Sequence, residues 1–241
     1  MLTALLIGAI APLTASAADG IDITDKFTDP AFRAAVREII GEDVILDTDV
    51  AELTSLNVCY KNIKSLAGLE YFISLEELIC YGNELASLPA LPSSITSLQC
   101  SGNKLTSLPK LPSGLRFLNC SSNQLTSLDV AGLPLTFLDC TSNQLTSLDV
   151  TGLPLQNLNC SSNQLTGLNV TGLSLLSLNC TFNNMKSTAD VIGYAGMWDV
   201  GLNHFTPQNP PPVTPFWSTW PAPLQWILEY ILFGWLWMGW F

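Results

Sequence analysis

The side chains best suited to chemistry in this 241-residue chain are seven cysteines and one histidine. Six of the cysteines stand 20 residues apart, at Cys80, Cys100, Cys120, Cys140, Cys160 and Cys180. Thiols can act as nucleophiles beside an imidazole, form disulfides or bind zinc. A spacing this regular indicates one structural unit copied along an axis, so the six cysteines are expected to share one environment.

A Cys–His nucleophile is excluded by distance. The histidine, His204, lies at the end of the repeated region, whereas the remaining cysteine, Cys59, lies at its beginning. Seven steps between units stacked about 4.8 Å apart would separate the two by roughly 34 Å, and such a pair needs hydrogen-bond contact. The chain also lacks C-x-x-C, G-x-S-x-G, H-E-x-x-H and P-loop motifs. We therefore expect a non-enzymatic protein without a metal site or a cofactor.

The elements that position these residues follow from the full repeat, L-x-x-L-x-C-x-x-N-x-L. Its copies begin at Leu53, Leu75, Ile95, Leu115, Leu135, Leu155 and Leu175, with a degenerate eighth copy at Ala195. Over about residues 53–205 this pattern resembles the leucine-rich repeats of secreted bacterial proteins, with Cys in the third Leu position. The resemblance implies a solenoid of the broad α/β class, whose short parallel strands line a concave face.

Within one unit, side chains at alternate positions of a strand face opposite sides. Leu138 and Cys140 are therefore expected to face the core, while Phe137, Asp139 and Thr141 face outward. A buried asparagine is expected where each unit leaves its strand, because a carboxamide can both donate to and accept from the backbone. The members of this asparagine ladder are Asn83, Asn103, Asn123, Asn143, Asn163, Asn183 and Asn203.

The six periodic cysteines are expected to be free, buried thiols. A Cα spacing of about 5 Å would allow a disulfide between adjacent units, but stacked parallel side chains point the same way. Cys59 departs from the pattern, because Val58 takes the inward position of its unit. Cys59 should lie on or near the concave surface, either as an accessible thiol or as an inert one shaded by the N-terminal cap.

The segment that precedes the repeats is expected to have two parts. Residues 1–17 resemble a secretory signal that ends in small residues, and residues 18–52 form an N-terminal helical cap. The cap helix is predicted to start around Asp29 and to end at Gly41. Its predicted apolar face consists of Phe32, Val36, Ile39 and Ile40.

The segment that follows the repeats is predicted to contact a membrane. A Pro-rich linker over residues 206–223 leads to the hydrophobic residues 224–241, which as a helix would be about 27 Å long. Its aromatic stripe favours membrane association, either spanning the bilayer or lying in its interface, with docking against the last coil as the alternative. In that last coil, larger side chains replace the leucines, at Trp198, Val200 and Phe205.

The net charge of −11, from 20 acidic and 9 basic residues, argues against a nucleic-acid partner, since phosphate binding needs clustered Lys and Arg. The candidate ligand-binding site is centred on Phe117 and Phe137, which occupy the same outward position in adjacent units. Aromatic residues are frequent in interface hot spots, although a cross-strand pair can also simply stabilise the sheet. The candidate ligand-binding residues are Tyr81, Arg116, Phe117, Asn119, Phe137, Asp139, Asn157 and Asn159.

Two functions fit this sequence. The first is a secreted binding module that recognises a protein or a glycan at the cell surface through its concave sheet. The alternative is a structural or assembly spacer whose aromatic C-terminal segment mediates membrane attachment or self-association.

Overall fold

Eight short parallel strands form the main sheet. The computed structural model describes residues 20–194 and the backbone of Asn203 and His204. The strands of the main sheet in this part of the chain are β1 (Ser55–Asn57), β2 (Glu77–Ile79), β3 (Ser97–Gln99), β4 (Phe117–Asn119), β5 (Phe137–Asp139), β6 (Asn157–Asn159), β8 (Ser177–Asn179) and β10 (Asn203–His204). They are hydrogen-bonded to one another in chain order. The repeats therefore form a parallel β-solenoid, as their pattern predicts.

Neighbouring strands pair at the repeat distance. Leu98 lies opposite Leu118, and Leu118 lies opposite Leu138. The central leucine of each of these strands is buried, as are the cysteines that follow, Cys120 and Cys140. The outward positions between them are half-buried. The predicted alternation of inward and outward side chains is thus confirmed.

The segments that return from one strand to the next are held by short turns. The side chains of Asp129, Asp149 and Asn169 each accept a hydrogen bond from the backbone N–H two residues later, which is the geometry of an Asx turn. Asp129 and Asp149 are therefore turn residues, as predicted. On this side of the molecule β7 (Leu168–Asn169) and β9 (Val191–Ile192) form a second, two-stranded sheet, which the repeat pattern does not indicate.

Two helices precede the first strand. Helix α1 (Pro30–Ile40) begins where the Asp29 carboxylate accepts hydrogen bonds from the N–H groups of Ala31 and Phe32, at 2.8 and 3.0 Å. It ends at Gly41, whose φ of 78° is left-handed and is easily adopted only by glycine. Helix α2 (Asp47–Ala51) follows. Three-residue 3₁₀ turns complete the helical structure of the described residues, at Thr24–Lys26, Leu69–Tyr71 and Thr188–Asp190.

Asp29 also fastens the cap to the first repeat. Its second carboxylate oxygen accepts hydrogen bonds from the N–H groups of Lys64 and Ser65, at 2.8 and 3.1 Å. Burial acts to raise the pKa of Asp29, but the four backbone donors lower it by more, so its pKa lies below the usual value. One side chain thus caps α1 and joins that helix to the repeats.

The predicted apolar face of α1 is correct except at Ile39. Phe32 and Val36 are buried and Ile40 packs against the core, but Ile39 is 41% exposed. In the last turn only Ile40 packs against the core, and it is partly buried, so Ile39 on its other side stays exposed. Ala35, between the predicted positions, is buried as well.

The predicted register of the eighth coil is wrong. Asn203 pairs with Leu178 and His204 pairs with Asn179, so the step between facing residues is 203 − 178 = 25 residues instead of 20. The segment between β8 and β10 contains both the 3₁₀ turn at Thr188–Asp190 and β9. These elements account for the additional residues of this step. Asn203 therefore does not continue the asparagine ladder.

Other expectations concern parts of the chain outside the described residues. These are the signal-like residues 1–17, the linker 206–223, the hydrophobic residues 224–241, and the last-coil residues Trp198, Val200 and Phe205. Within the described part, no helix has both the length and the hydrophobicity to cross a membrane.

Candidate functional site

The outward-facing side chains of strands β1–β6 and β8 form one continuous surface, which we call the strand face. Each strand presents two outward positions, and strand pairing aligns equivalent positions of successive units into rows. One row consists of Ser97, Phe117, Phe137, Asn157 and Ser177. The next row consists of Gln99, Asn119, Asp139, Asn159 and Asn179. Apart from Ile79 on β2, the outward positions of the strand face are polar except at Phe117 and Phe137, one in each of two neighbouring units.

Phe117 and Phe137 lie side by side on this face, as predicted. Their ring centroids are 4.3 Å apart and their planes differ by 4°, so the two rings are stacked. Both side chains are half-buried. Asn157 follows in the same row, directly opposite Phe137 on β6. The ring pair is thus an apolar patch bordered by small or polar side chains.

The second row is held in place by the chain that leaves each strand. The Asn119 side-chain oxygen accepts hydrogen bonds from the Ser121 N–H and hydroxyl, at 3.1 and 2.8 Å. Asn159 accepts equivalent bonds from Ser161, at 3.3 and 2.9 Å. These interactions fix the acceptor oxygen and leave the carboxamide N–H groups without a described partner. The row therefore presents donors at defined positions.

Asp139 occupies the centre of this row and differs from its neighbours in charge. Its carboxylate accepts a hydrogen bond from the Thr141 N–H at 3.0 Å. Burial raises the pKa of Asp139 above its usual value, and the hydrogen bonds from Thr141 offset this only in part. The partial burial of the Asp139 side chain therefore disfavours its ionised form.

The remaining candidate residues are not all brought together. Arg116 is exposed and immediately precedes Phe117 at the start of β4. Tyr81 follows β2 and instead contacts Tyr60, with ring centroids 5.1 Å apart and planes at 84°. The predicted site thus contains its central residues on β4–β6, whereas Tyr81 belongs to a separate aromatic pair near the N-terminal end of the sheet.

Tyr60 is a surface residue that the repeat pattern did not indicate. It is 55% exposed and has a φ of 53°, an uncommon conformation for a bulky residue. Its ring lies against Gly82, where any side chain would collide with it. Alignment of Tyr60 with the glycines at positions 82 and 102 could have revealed this contact, since glycine often marks a close approach.

The periodic cysteines form a buried ladder of free thiols. Burial raises their pKa values, to about 12 for Cys100 and for Cys180. These thiols are therefore protonated at neutral pH and poorly suited to nucleophilic chemistry. Cys59, by contrast, is half-buried while Val58 is buried, which confirms the predicted change of register.

The asparagine ladder is confirmed for its first six members. The Asn143 oxygen accepts a hydrogen bond from the Leu125 N–H at 2.9 Å, and its amide donates to the carbonyls of Cys120 and Cys140 at 3.0 and 3.1 Å. Each such side chain therefore bonds both its own unit and the preceding one. The ladder is a structural feature beneath the strand face.

Other potential sites in the described residues show no convergence of functional groups. No three His, Cys, Asp or Glu side chains in this part of the chain are grouped to hold a metal ion. His204 lies on the strand at the opposite edge of the sheet from β1, and Cys59 lies two residues beyond the end of β1. A shallow groove of about 620 Å³ lies on the return side, lined by Leu108, Leu128 and Lys110 among others, and it contains none of the candidate residues.

Several solved structures resemble the chain. The functional domain of InlJ from Listeria monocytogenes, which includes a cysteine ladder, is 34% identical with a TM-score of 0.59, covering 69% of this chain and 44% of that one. YopM, a leucine-rich effector protein from Yersinia pestis, is 31% identical with a TM-score of 0.54, covering 58% of this chain and 39% of that one. Internalin C2 from Listeria monocytogenes shares the fold at 21% identity, with a TM-score of 0.53 and coverage of 72% and 92%.

This chain therefore spans less than half the length of the InlJ and YopM structures that it matches. No protein-family model and no curated protein matches it.

Proposed function

Because the chain is a leucine-rich repeat protein related to the bacterial internalins and YopM, we propose that it is a non-enzymatic binding module. It recognises a protein or a glycan at a cell surface, and the strand face is its contact surface. The observation that carries this proposal is the stacked pair of Phe117 and Phe137 on a predominantly polar sheet face.

The position of the ring pair supports a role in recognition. Equivalent positions in the flanking units hold Ser97 and Asn157, so the solenoid does not need aromatic residues there. A cross-strand aromatic pair adds only about 0.2–1 kcal/mol to a sheet, whereas buried aromatic anchors dominate binding energy in many interfaces. Binding is therefore the better explanation for two phenylalanines at this place.

The proposed location of the protein is outside the cytoplasm. Residues 1–17 contain an apolar run followed by Ala15, Ser16 and Ala17, as in a cleaved secretory signal. The similarity to YopM, an effector protein, supports the same location.

A polar sheet with fixed amide groups suits a partner that offers many hydrogen bonds.

The ring pair can be tested by replacing each phenylalanine with the residue of the neighbouring unit. The double variant Phe117→Ser/Phe137→Asn should fold normally and bind intact bacterial and mammalian cells or an array of glycans at least about tenfold more weakly, since hot-spot losses commonly exceed 1.4 kcal/mol. Phe182→Ser is the matched control, because Phe182 is 58% exposed but lies beyond the end of β8, and its equivalent in the preceding unit is Ser162.

Binding of the double variant at the wild-type level would contradict the proposal, provided that its thermal unfolding shows it to be folded. An equal loss in Phe182→Ser would mean that apolar exposure in general, and not the strand face, mediates adhesion.

A further inference from the structure

The strand face carries an excess of negative charge. On the strands β1–β6 and β8, and the single residue before each, the acidic side chains are Glu76, Glu77 and Asp139, and the basic one is Arg116. The net charge of this surface is therefore 1 − 3 = −2, in a chain whose total is −11. Such a surface attracts cationic groups and repels anionic ones.

Asp139 is a half-buried acidic residue at the centre of this surface. It sits between Asn119 and Asn159 on the neighbouring strands, and amides cannot neutralise a carboxylate. Among the described residues, no Lys, Arg or His forms an ion pair with it, since the ion pairs found there join Lys61 to Glu38 and Lys104 to Glu84. A poorly solvated carboxylate without a cation is unfavourable, and it is stabilised when a cation binds.

The ring pair lies beside this carboxylate. Phe137 and Asp139 are two residues apart on the same side of β5, which places their Cα atoms roughly 6.6 Å from each other. This matches the length of an extended lysine or arginine side chain, whose methylene groups pack on apolar surface while its charged end reaches a polar partner. A guanidinium group can in addition lie against an aromatic ring.

We propose that the ligand of the strand face is a protein that presents a lysine or arginine side chain, which pairs with the Asp139 carboxylate while its stem packs along the Phe117–Phe137 rings. This inference rests on the proposed function and narrows it to a protein partner with a basic contact residue. The amide groups of Asn119 and Asn159 then donate to backbone carbonyls of the same partner segment.

The inference is tested with the full chain and short fluorescein-labelled oligolysine and oligoarginine peptides, whose binding is followed by fluorescence anisotropy. The key variant is Asp139→Asn, which repeats the residue type of both neighbouring units. Its matched control is Asp149→Asn, on an exposed return where the next unit already has Asn169 in the same turn. Both substitutions change the net charge from −11 to −10, so they differ in position alone.

Asp139→Asn should raise the dissociation constant of the peptides by about fivefold or more, and Asp149→Asn by less than about twofold, because a distant surface charge acts only through a screened field. Asp139→Glu, which keeps the charge, should bind within about threefold of the wild type. Equal weakening by the two asparagine variants, or the absence of peptide binding by the wild type, would overturn the inference. So would binding of a neutral chitin oligosaccharide that requires the ring pair but is indifferent to Asp139.

Failure of this inference can be told apart from failure of the proposed function. If Asp139→Asn binds cells like the wild type while Phe117→Ser/Phe137→Asn does not, the strand face is a binding site for a ligand without a basic contact, and only the inference fails. If neither variant changes cell binding, the strand face is not the contact surface and the proposed function fails as well.

Discussion

Asp139 is a single carboxylate within a row of carboxamides, and this has a cost for stability. Because burial raises its pKa, the folded protein holds the Asp139 proton more tightly than the unfolded chain does. The protonated Asp139 side chain contributes its full stability below pH 3.8, which is the ordinary pKa of an aspartate and applies to the unfolded chain. This contribution is lost as the pH rises through the pKa of Asp139 in the folded state. At neutral pH the ionised side chain therefore destabilises the fold.

Asp139→Asn is expected to increase the free energy of unfolding at neutral pH and to leave it unchanged below pH 3.8. The asparagine can keep the hydrogen bond from the Thr141 N–H, as Asn119 and Asn159 do in their units. Urea unfolding of both proteins at neutral and at acidic pH measures the difference.

Asp149→Asn provides a control of opposite sign. The Thr151 N–H lowers the pKa of Asp149, so this carboxylate contributes stability above its ordinary pKa, and that contribution is lost as the pH falls. Replacement of Asp149 should bring no gain in stability at neutral pH.

A destabilised Asp139→Asn protein at neutral pH would show that the Asp139 carboxylate is well solvated. A variant that is more stable but binds the ligand less well would fit a residue retained for binding at the expense of stability.

At the scale of the element, the asparagine ladder holds each coil to the one before. Asn143→Ala would leave the Leu125 N–H and the carbonyls of Cys120 and Cys140 without their partner. Each orphaned buried group costs about 1–3 kcal/mol, so the melting temperature should fall by about 5 °C or more.

The neighbouring Gln144→Ala serves as a control, since Gln144 is exposed and only its backbone N–H forms a hydrogen bond, to Leu125. Circular dichroism melting of both variants decides the matter. Equal melting temperatures for Asn143→Ala and the wild type would mean that the ladder does not contribute to stability.

Most of the elements could be predicted because they depend on local, repeated information. The period fixes which leucines and cysteines face the core, and Asp29, Pro30 and Gly41 mark both ends of α1. The features that were missed depend on contacts between different segments. The second sheet of β7 and β9 forms only where the last return meets its neighbour, and the 25-residue step to β10 follows from that return. Tyr60 was missed because its partner, Gly82, lies in another unit.

The candidate site could be predicted in part for the same reason. Strand register alone places Phe117 beside Phe137 and Asp139 between two asparagines. The degree of burial that raises the pKa of Asp139 depends on the packing of three strands. The edge-on contact that draws Tyr81 towards Tyr60 depends on side-chain conformations that no spacing encodes.

At the scale of the whole molecule, the six buried thiols couple the fold to alkaline pH. Their folded-state pKa values lie well above 9.0, and reach about 12 for Cys100. Because the raised pKa means that the folded state holds these protons more tightly, their contribution to stability is complete below pH 9.0 and is lost as the pH rises further. Each thiol should lower the free energy of unfolding by about 1.4 kcal/mol per pH unit in that range.

The loss of stability between about pH 9 and pH 10.5 should therefore be steep, and shallower by about half in Cys100→Ala/Cys120→Ala/Cys140→Ala, which retains three of the six buried thiols. Smaller side chains reduce stability at every pH, so the comparison is between slopes from urea unfolding and not between absolute values. Lysine and tyrosine titration affects both proteins equally. Equal slopes would mean that the ladder is solvated or already ionised in the fold.

Every internal asparagine binds its own coil and the coil before it with the same set of hydrogen bonds, and this has a consequence for how such a molecule can change over generations. Recombination between two copies of the coding segment would insert or remove one whole coil and leave each new junction as well bonded as the old ones. The number of coils can therefore change without loss of folding. The Phe117–Phe137 pair on β4 and β5, by contrast, is kept only if the recombination site lies outside those two coils. The number of coils in related genes should accordingly vary more freely than the residues of that pair.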